Sequence, residues 1–277
     1  IDVTINILDD QQNIYVNKIN IFGNNITIED VIRNEFIIDE GDPFNKILFQ
    51  KSLNNIRATN IFKDVKGDIV NTDDESLKDI NITLTEKPTG QISAGAGIGT
   101  SGASTSFGVQ ENNFLGKGIK LDSNLMLSEE TIRGLFSYTK PNYKNTDKSL
   151  SFNVQSLETD RLTDFGYKTN KSGISVSTTF EYLRDLNLSL GASSFYEKIQ
   201  TDSTASTRQK RMKGEYYDTF TKLSLDYDKR NQKFATTEGF ISNYSITLPI
   251  YSETGTLQNS YSILSGNEAP LNTRTAE

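Results

Sequence analysis

The sequence has 277 residues, enough for one large domain or two ordinary ones, and carries a net charge of −7 from 29 basic and 36 acidic side chains. This acidic balance argues against nucleic acid as a partner, because binding to a phosphate backbone needs clustered Lys and Arg. The sequence lacks Cys and His, which excludes disulfides, thiolate or imidazole metal sites, Cys nucleophiles and Ser-His triads. An enzyme would have to work with carboxylates, Lys, Tyr and hydroxyls alone, so we predict neither an enzyme nor a bound metal.

The first patterned segment begins as a strand and continues as two helices. The run IYVNKINIF (14–22) alternates imperfectly between apolar and polar residues, which indicates a strand, and GNN then supplies a turn. Thr27, followed three residues later by Asp30, has the spacing of a helix start, where the side-chain oxygen accepts a backbone N–H. Asp42 before Pro43 predicts the start of a second helix, since Pro is favoured at the first helical position.

The second helix is predicted to bury one face and to be followed by two strands. Its apolar residues at helical spacing are Phe49, Leu53 and Ile56. Asn60 can end the helix because Asn tolerates the left-handed conformation. The runs FKDVKGDIV and LKDINITLTEK then indicate strands on either side of a polar turn. The order β-α-α-β-β predicts one small α+β domain.

After Pro88 the period changes to two, with almost no helical signal. The first run, QISAGAGIG, has Ile and Ala on one face and Ser and Gly on the other. Similar alternation recurs in about ten runs of about ten residues, separated by turns rich in Gly, Asn, Asp and Thr. We therefore expect an antiparallel β structure that occupies most of the remaining chain.

The length of these runs separates a membrane barrel from a soluble sandwich. Strands of soluble proteins centre on about five or six residues, whereas a tilted membrane-spanning strand needs about nine to eleven. The mean hydropathy of −0.50 is compatible with a barrel, because only alternate residues of its strands face lipid. The alternation favours an antiparallel transmembrane β-barrel, and a soluble β-sandwich is the alternative.

Five segments, in order along the chain, resemble the BamA family of outer-membrane protein assembly factors. YVNKINIFGNN (15–25) and IRATNIFKDVKGDI (56–69) resemble parts of a POTRA domain, the periplasmic module of that family. TEKPTGQISAGAGIGTS resembles the passage from the last POTRA domain into the first barrel strand. GVQENNFLGKG (108–118) is similar to the turn between barrel strands two and three, and DYDKRNQKFATTEGF (226–240) resembles a segment further on.

The resemblance implies an α+β POTRA domain of order β-α-α-β-β followed by an antiparallel transmembrane β-barrel, here truncated to about ten strands. Thr236 stands where the family commonly has Pro, and the motif of a long inward-folded loop is missing. The implied segments are the tail of a preceding POTRA domain (1–8), the POTRA domain (14–88), the N-terminal part of the barrel (91–264) and a non-strand tail (265–277).

The function implied by the resemblance is the folding and insertion of other β-barrel proteins in the outer membrane of a Gram-negative bacterium, without a cofactor. The POTRA domain would lie in the periplasm, and the partners would be unfolded β-barrel clients, accessory lipoproteins of an assembly complex and outer-membrane lipid. Each unpaired backbone group costs several kcal/mol in hydrocarbon, so an edge strand that pairs with a client strand would lower the barrier to insertion.

Three groups of residues are candidates for this activity. The first barrel strand is a candidate lateral gate because its glycines weaken its pairing, although they could instead relieve crowding at a curved wall. Its residues are Gln91, Ile92, Ser93, Ala94, Gly95, Ala96, Gly97, Ile98 and Gly99. The family turn motif comprises Asn112, Asn113, Phe114, Leu115, Gly116 and Gly118. A lumenal cluster, which could receive an inward loop or could be solvated wall charges, comprises Asp226, Asp228 and Arg230.

Three other functions compete with the assembly factor, the last of them a carboxylate-based enzyme, for which the sequence shows no two inward acids at a fixed separation. A related translocation or autotransporter-assembly pore would also combine a POTRA domain with a barrel. A passive porin would need no POTRA domain, so residues 14–88 argue against it.

Overall fold

A computed structural model describes residues 14–99, 102–230, 238–253, 258–265 and 272–276, the last two ranges by their backbone alone. The chain forms two compact units, the first comprising Ile1–Thr89 with Leu115–Gly118 and the second Gly90–Phe114 with Ile119–Glu277. Residues 1–8, predicted to be the tail of a preceding POTRA domain, lie outside the described ranges. Among the described residues, no helix is long and apolar enough to cross a bilayer.

The first unit has the predicted order β-α-α-β-β. Its elements are β1 (Tyr15–Phe22), α1 (Glu29–Arg33), α2 (Lys46–Ala58), β2 (Phe62–Asn71) and β3 (Leu77–Glu86). The sheet order is β1-β3-β2, with β3 parallel to β1 and antiparallel to β2. The predicted apolar face of α2 is confirmed, because Phe49, Leu53 and Ile56 are buried against the strands. Asn60 has a φ of 61°, as expected for a residue that ends a helix.

Both predicted helix starts are wrong. The residue that caps α1 is Ile28, which makes no side-chain hydrogen bond to the helix. Thr27 does not cap the helix because it donates its backbone N–H to Glu86 Oε1 at 2.7 Å and also bonds this carboxylate through its hydroxyl. Helix α2 starts after Asn45 and not at Asp42-Pro43. The Asn45 side chain accepts from two backbone N–H groups of the first turn, which satisfies donors that the helix leaves unpaired.

A bulge in β1 explains its imperfect alternation. Its pairing with β3 shifts register between Val16 and Ile19. Both side chains are buried although they are an odd number of residues apart, because the extra residue turns the strand.

The second unit is one antiparallel sheet of eleven strands within the described residues, against about ten predicted. Each strand pairs with its neighbours in sequence, so the order runs from β4 to β14 without a crossover. The strands are β4 (Gly90–Gly99), β5 (Gly102–Phe114), β6 (Ile119–Ser128), β7 (Thr131–Lys140), β8 (Ser149–Arg161), β9 (Tyr167–Leu183), β10 (Leu186–Thr201), β11 (Gly214–Asp228), β12 (Phe240–Ser252), β13 (Gln258–Ser265) and β14 (Asn272–Ala276). Two short helices, α3 (Leu162–Phe165) and α4 (Thr207–Arg211), follow β8 and β10.

The prediction of a non-strand tail over 265–277 is wrong for the residues that form β14. Asn272–Ala276 pair with the outer edge of β13, which offers unpaired backbone groups to any adjacent extended segment. The remaining residues of the predicted tail, apart from Ser265 at the end of β13, lie outside the described ranges.

The register sorts the side chains of this sheet onto one apolar and one polar face. On the apolar face, Phe107 lies opposite Leu125 and Val154 opposite Ile174. The polar face carries cross-strand hydrogen bonds, among them Ser137 Oγ to Asn153 Oδ1 at 2.6 Å, Thr139 with Ser151 at 3.0 Å and Thr179 with Ser189 at 2.8 Å. This is the arrangement expected of a barrel wall with lipid on one side and water on the other.

Candidate functional site

The predicted gate strand, β4, is an edge strand. Within the described residues it pairs with β5 alone, from Gly90 opposite Glu111 to Gly99 opposite Gly102. All its residues are exposed, and the outward side chains of Ile92 and Ile98 are 83% and 92% accessible. An edge strand presents backbone N–H and C=O groups that can pair with another strand.

The glycines of β4 are not all explained by crowding. A Cβ at Gly95 would lie 3.0 Å from the hydroxyl of Ser106, a tight contact. At Gly97 the nearest atom would be 3.7 Å away, and at Gly99 no described atom would lie within 4 Å. Because these two positions have room for a side chain, their effect on β4 is to weaken it by removing side-chain packing and adding backbone freedom.

The family turn motif needs its glycines for their backbone conformation. Leu115, Gly116 and Gly118 all have positive φ angles, of 56°, 69° and 62°, which glycine adopts without strain. The two glycines of the motif therefore serve the backbone geometry of this turn. The two asparagines do not share this conformation. Asn113 is instead buried, and its backbone N–H donates to Glu111 Oε1 at 2.7 Å.

The turn 115–118 belongs to the first compact unit, where it lies against the segment that leads into α1. The carbonyl oxygen of Gly116 accepts a hydrogen bond from Ile28 N at 2.9 Å. A Cβ at Gly116 would lie 2.1 Å from the carbonyl oxygen of Ile26, and one at Gly118 would lie 3.0 Å from the side chain of Val31. Both glycines therefore also permit a close approach of two backbone segments.

Glu86 fixes the same segment from the other side, a role that sequence analysis missed. Its carboxylate accepts from the backbone N–H groups of Asn25 at 3.1 Å, Ile26 at 3.0 Å and Thr27 at 2.7 Å. Burial alone would raise the pKa of Glu86, but these bonds and that of the Thr27 hydroxyl outweigh it and hold the pKa below its ordinary value of 4.5. No local pattern could reveal a partner some sixty residues away in sequence.

The predicted lumenal cluster is only partly assembled. Arg230 forms a two-pronged ion pair with Asp228, with Nε and Nη2 at 2.8 and 2.7 Å from the two carboxylate oxygens. Asp226 instead accepts a hydrogen bond from Asn243 Nδ2 on β12. The rest of this family segment, from 231 to 237 and including Thr236, lies outside the described residues.

Asp226 and Asn243 also border an open recess of about 400 Å³ on the polar face of the sheet. Small hydroxyl side chains from β9 to β12 and Lys222 line it. Among the described residues, no group of three or more acidic side chains could hold a metal ion. The recess is an open, polar part of the wall, compatible with a water-filled lumen.

Two family models match the chain. One, described as the Omp85 superfamily domain, matches residues 113–271. The other, named POTRA and described as a surface antigen variable number repeat, matches residues 14–87. One match falls mainly in each compact unit, and residues 88–112 lie in neither match.

Curated relatives with similar sequences share a name. The outer membrane protein assembly factor BamA of Neisseria meningitidis serogroup B is 33% identical over 145 residues, which is 51% of this chain and 18% of that protein. BamA of Nitratidesulfovibrio vulgaris is 28% identical over 173 residues, 61% of this chain and 21% of that protein. The chain thus spans about a fifth of the length of the curated relatives it matches.

Solved structures show the same fold. BamA from Haemophilus ducreyi, in a form lacking POTRA domains 1–3, matches 90% of this chain and 51% of its own with a TM-score of 0.70 and 24% identity. CdiB from Escherichia coli matches 91% of this chain and 50% of its own with a TM-score of 0.60 and 12% identity. Since the Omp85 model covers more than half of the sequence and a POTRA match precedes it, this chain belongs to the Omp85 superfamily.

Proposed function

We propose that the chain forms part of an outer-membrane protein assembly factor that folds and inserts β-barrel proteins in the outer membrane of a Gram-negative bacterium. In this proposal the β4–β14 sheet is a wall of the membrane barrel and the POTRA domain lies in the periplasm. The BamA relatives, which are named as outer membrane protein assembly factors, support this activity. The observation that carries the mechanism is strand β4, which pairs on one side only within the described residues and has room for side chains at Gly97 and Gly99.

When the seam between β4 and the strand that closes the barrel opens, the exposed edge of β4 acts as a template for the first strand of a client. In antiparallel pairing, alternate residues direct both backbone groups to the same side, so a ten-residue strand offers about five N–H and five C=O groups to a partner. A client strand that pairs here satisfies its backbone before it meets hydrocarbon, where each unpaired group costs several kcal/mol. The templated strand then presents a new edge to the next strand of the client.

The partners of this activity are unfolded β-barrel clients, accessory lipoproteins of an assembly complex and outer-membrane lipid. The Asp228–Arg230 pair, with Asp226 nearby on the same strand, is proposed to receive a loop that folds into the lumen. No cofactor takes part, because strand pairing is driven by hydrogen bonding and burial and not by a covalent step.

The test reconstitutes the intact protein in liposomes and adds an unfolded outer-membrane client. Folding is followed by the appearance of a protease-resistant, heat-modifiable form over time. We expect faster folding than in empty liposomes, and loss of this acceleration when a disulfide tethers β4 to the strand that closes the barrel.

The control is a disulfide inside the sheet. The chain has no native Cys, so a pair introduced at Ala96 and Thr105, which lie opposite each other on β4 and β5, tethers β4 without covering its free edge. This variant should keep the acceleration. Equal loss in both tethered variants would refute templating at the free edge, and no acceleration with solute leakage would indicate a translocation pore or porin instead.

A further inference from the structure

Three apolar side chains of the first compact unit are exposed together. Leu115 is 69% accessible, Ile26 is 70% and Ile28 is 44%. The hydrogen bond from Ile28 N to Gly116 O and the close approach of Gly116 to the Ile26 carbonyl hold their backbones side by side. We call these three residues the turn patch.

The turn patch is preorganised and not a chance exposure on a mobile loop. Glu86 binds three consecutive backbone N–H groups around Ile26, and Gly116 and Gly118, which follow Leu115 in the turn, both have positive φ angles. Exposed apolar side chains that are held together in this way often mark a surface that binds a membrane or another protein.

The turn lies at the end of the sheet where β4 begins, which is the periplasmic end in the proposed function. β4 starts at Gly90, directly after the POTRA domain, and Gly90 lies opposite Glu111 near the end of β5. Leu121, on the apolar face of β6, is three residues beyond Gly118, which is about 10 Å of strand. The polar headgroup layer on each side of a bilayer is roughly 5 to 7 Å thick, so the turn patch is within reach of it from a strand that tilts in the membrane.

We propose that the turn patch inserts into the interface of the periplasmic leaflet, where Leu115, Ile26 and Ile28 contact the upper acyl chains of phospholipids. Lys117, exposed within the same turn, is positioned to meet lipid phosphates. Apolar side chains flanked by a cation are the usual composition of a segment that lies in this interface. The inference depends on the sheet spanning a bilayer and is independent of client assembly.

Single Trp residues can report the environment of the patch, because the chain contains no Trp. The variants are Leu115→Trp and Ile26→Trp, measured in the intact protein reconstituted into liposomes that contain phospholipids brominated high on the acyl chain. Difference spectra against the parental protein isolate the new fluorophore. Ile47→Trp is the matched control, since Ile47 is 78% exposed on the same unit but lies in the first turn of α2. Leu190→Trp, on the apolar face of β10, reports insertion of the sheet itself.

We expect the fluorophores at positions 115 and 26 to emit at shorter wavelength and to lose most of their emission to brominated lipid, while the one at 47 is quenched only by iodide in water. The proposal is overturned if Leu190→Trp is quenched by lipid but Leu115→Trp behaves like Ile47→Trp. It is equally overturned if neither quencher reaches position 115, because a protein partner would then cover the patch.

Discussion

Replacement of Glu86 by Gln should loosen the segment that leads into α1. Gln has the same shape but only one acceptor oxygen and no charge, so it cannot serve the N–H groups of Asn25, Ile26 and Thr27 together. Hydrogen bonds to a charged group contribute about 1.5 to 3 kcal/mol, against about 0.5 to 1.5 kcal/mol for neutral pairs. Because Glu86 is only half-buried, we take a net loss of about 2 kcal/mol, which corresponds to roughly a 30-fold increase in local opening.

Hydrogen exchange of the amides at 25–27 measures this opening directly in the intact protein. Glu75→Gln is the matched control, since it removes the same charge from the exposed turn between β2 and β3. The Glu86 variant should exchange roughly 30-fold faster over this segment, and the Glu75 variant should exchange like the parent.

The same segment should depend on pH in the parental protein. The pKa of Glu86 is lowered in the folded state, so the unfolded state binds more protons as the pH falls below 4.5. The contribution of Glu86 is therefore complete above that pH and is lost as the pH falls through the folded pKa. Glu86→Gln should lack this acid-dependent loss when exchange is normalised to α2. Unchanged exchange in Glu86→Gln at neutral pH would show that these hydrogen bonds do not hold the segment.

Two further substitutions test the turn and the faces of the sheet. Gly116→Ala should lower the denaturant midpoint of the first unit more than Gly41→Ala does. Both glycines have positive φ, but only a Cβ at 116 would meet a backbone oxygen, at 2.1 Å. Equal effects of the two substitutions would show that glycine is needed at 116 only for its φ angle and not for the close approach. Leu190→Lys should destabilise the folded protein in liposomes by about 2 to 4 kcal/mol, while the neighbouring Ser189→Lys, on the polar face, should change it little. Equal losses in urea unfolding for these two lysine variants would contradict the assignment of the faces.

Patterns with a short repeat predicted most of the architecture. Alternation over ten or more residues identified the long strands, and the spacing of Phe49, Leu53 and Ile56 identified the buried face of α2. Both signals are local, because the period of an element decides which of its side chains face the core.

Features that depend on distant partners could not be predicted in this way. Thr27 has the spacing of a helix start, yet its backbone N–H and its hydroxyl both bond to the carboxylate of Glu86 at the end of β3. Asp226 was grouped with Arg230 by proximity in sequence, but the neighbouring strand brings Asn243 to it. The strand β14 is too short to show a period of its own and exists through its pairing with β13.

The central strand of the POTRA sheet continues into β4 after only three residues, 87–89. β3 is held along both edges, by β1 in parallel and by β2 in antiparallel pairing. A pull on β4 along its axis, such as a client strand would exert while it is drawn into the membrane, therefore reaches a strand that can move only by shearing two ladders of hydrogen bonds at once. A strand at the edge of a sheet can be separated one hydrogen bond at a time. β3 is a central strand, so it resists such a pull and acts as a mechanical anchor. In the proposed function, this anchor would hold the start of β4 in place while its other edge pairs with a client strand.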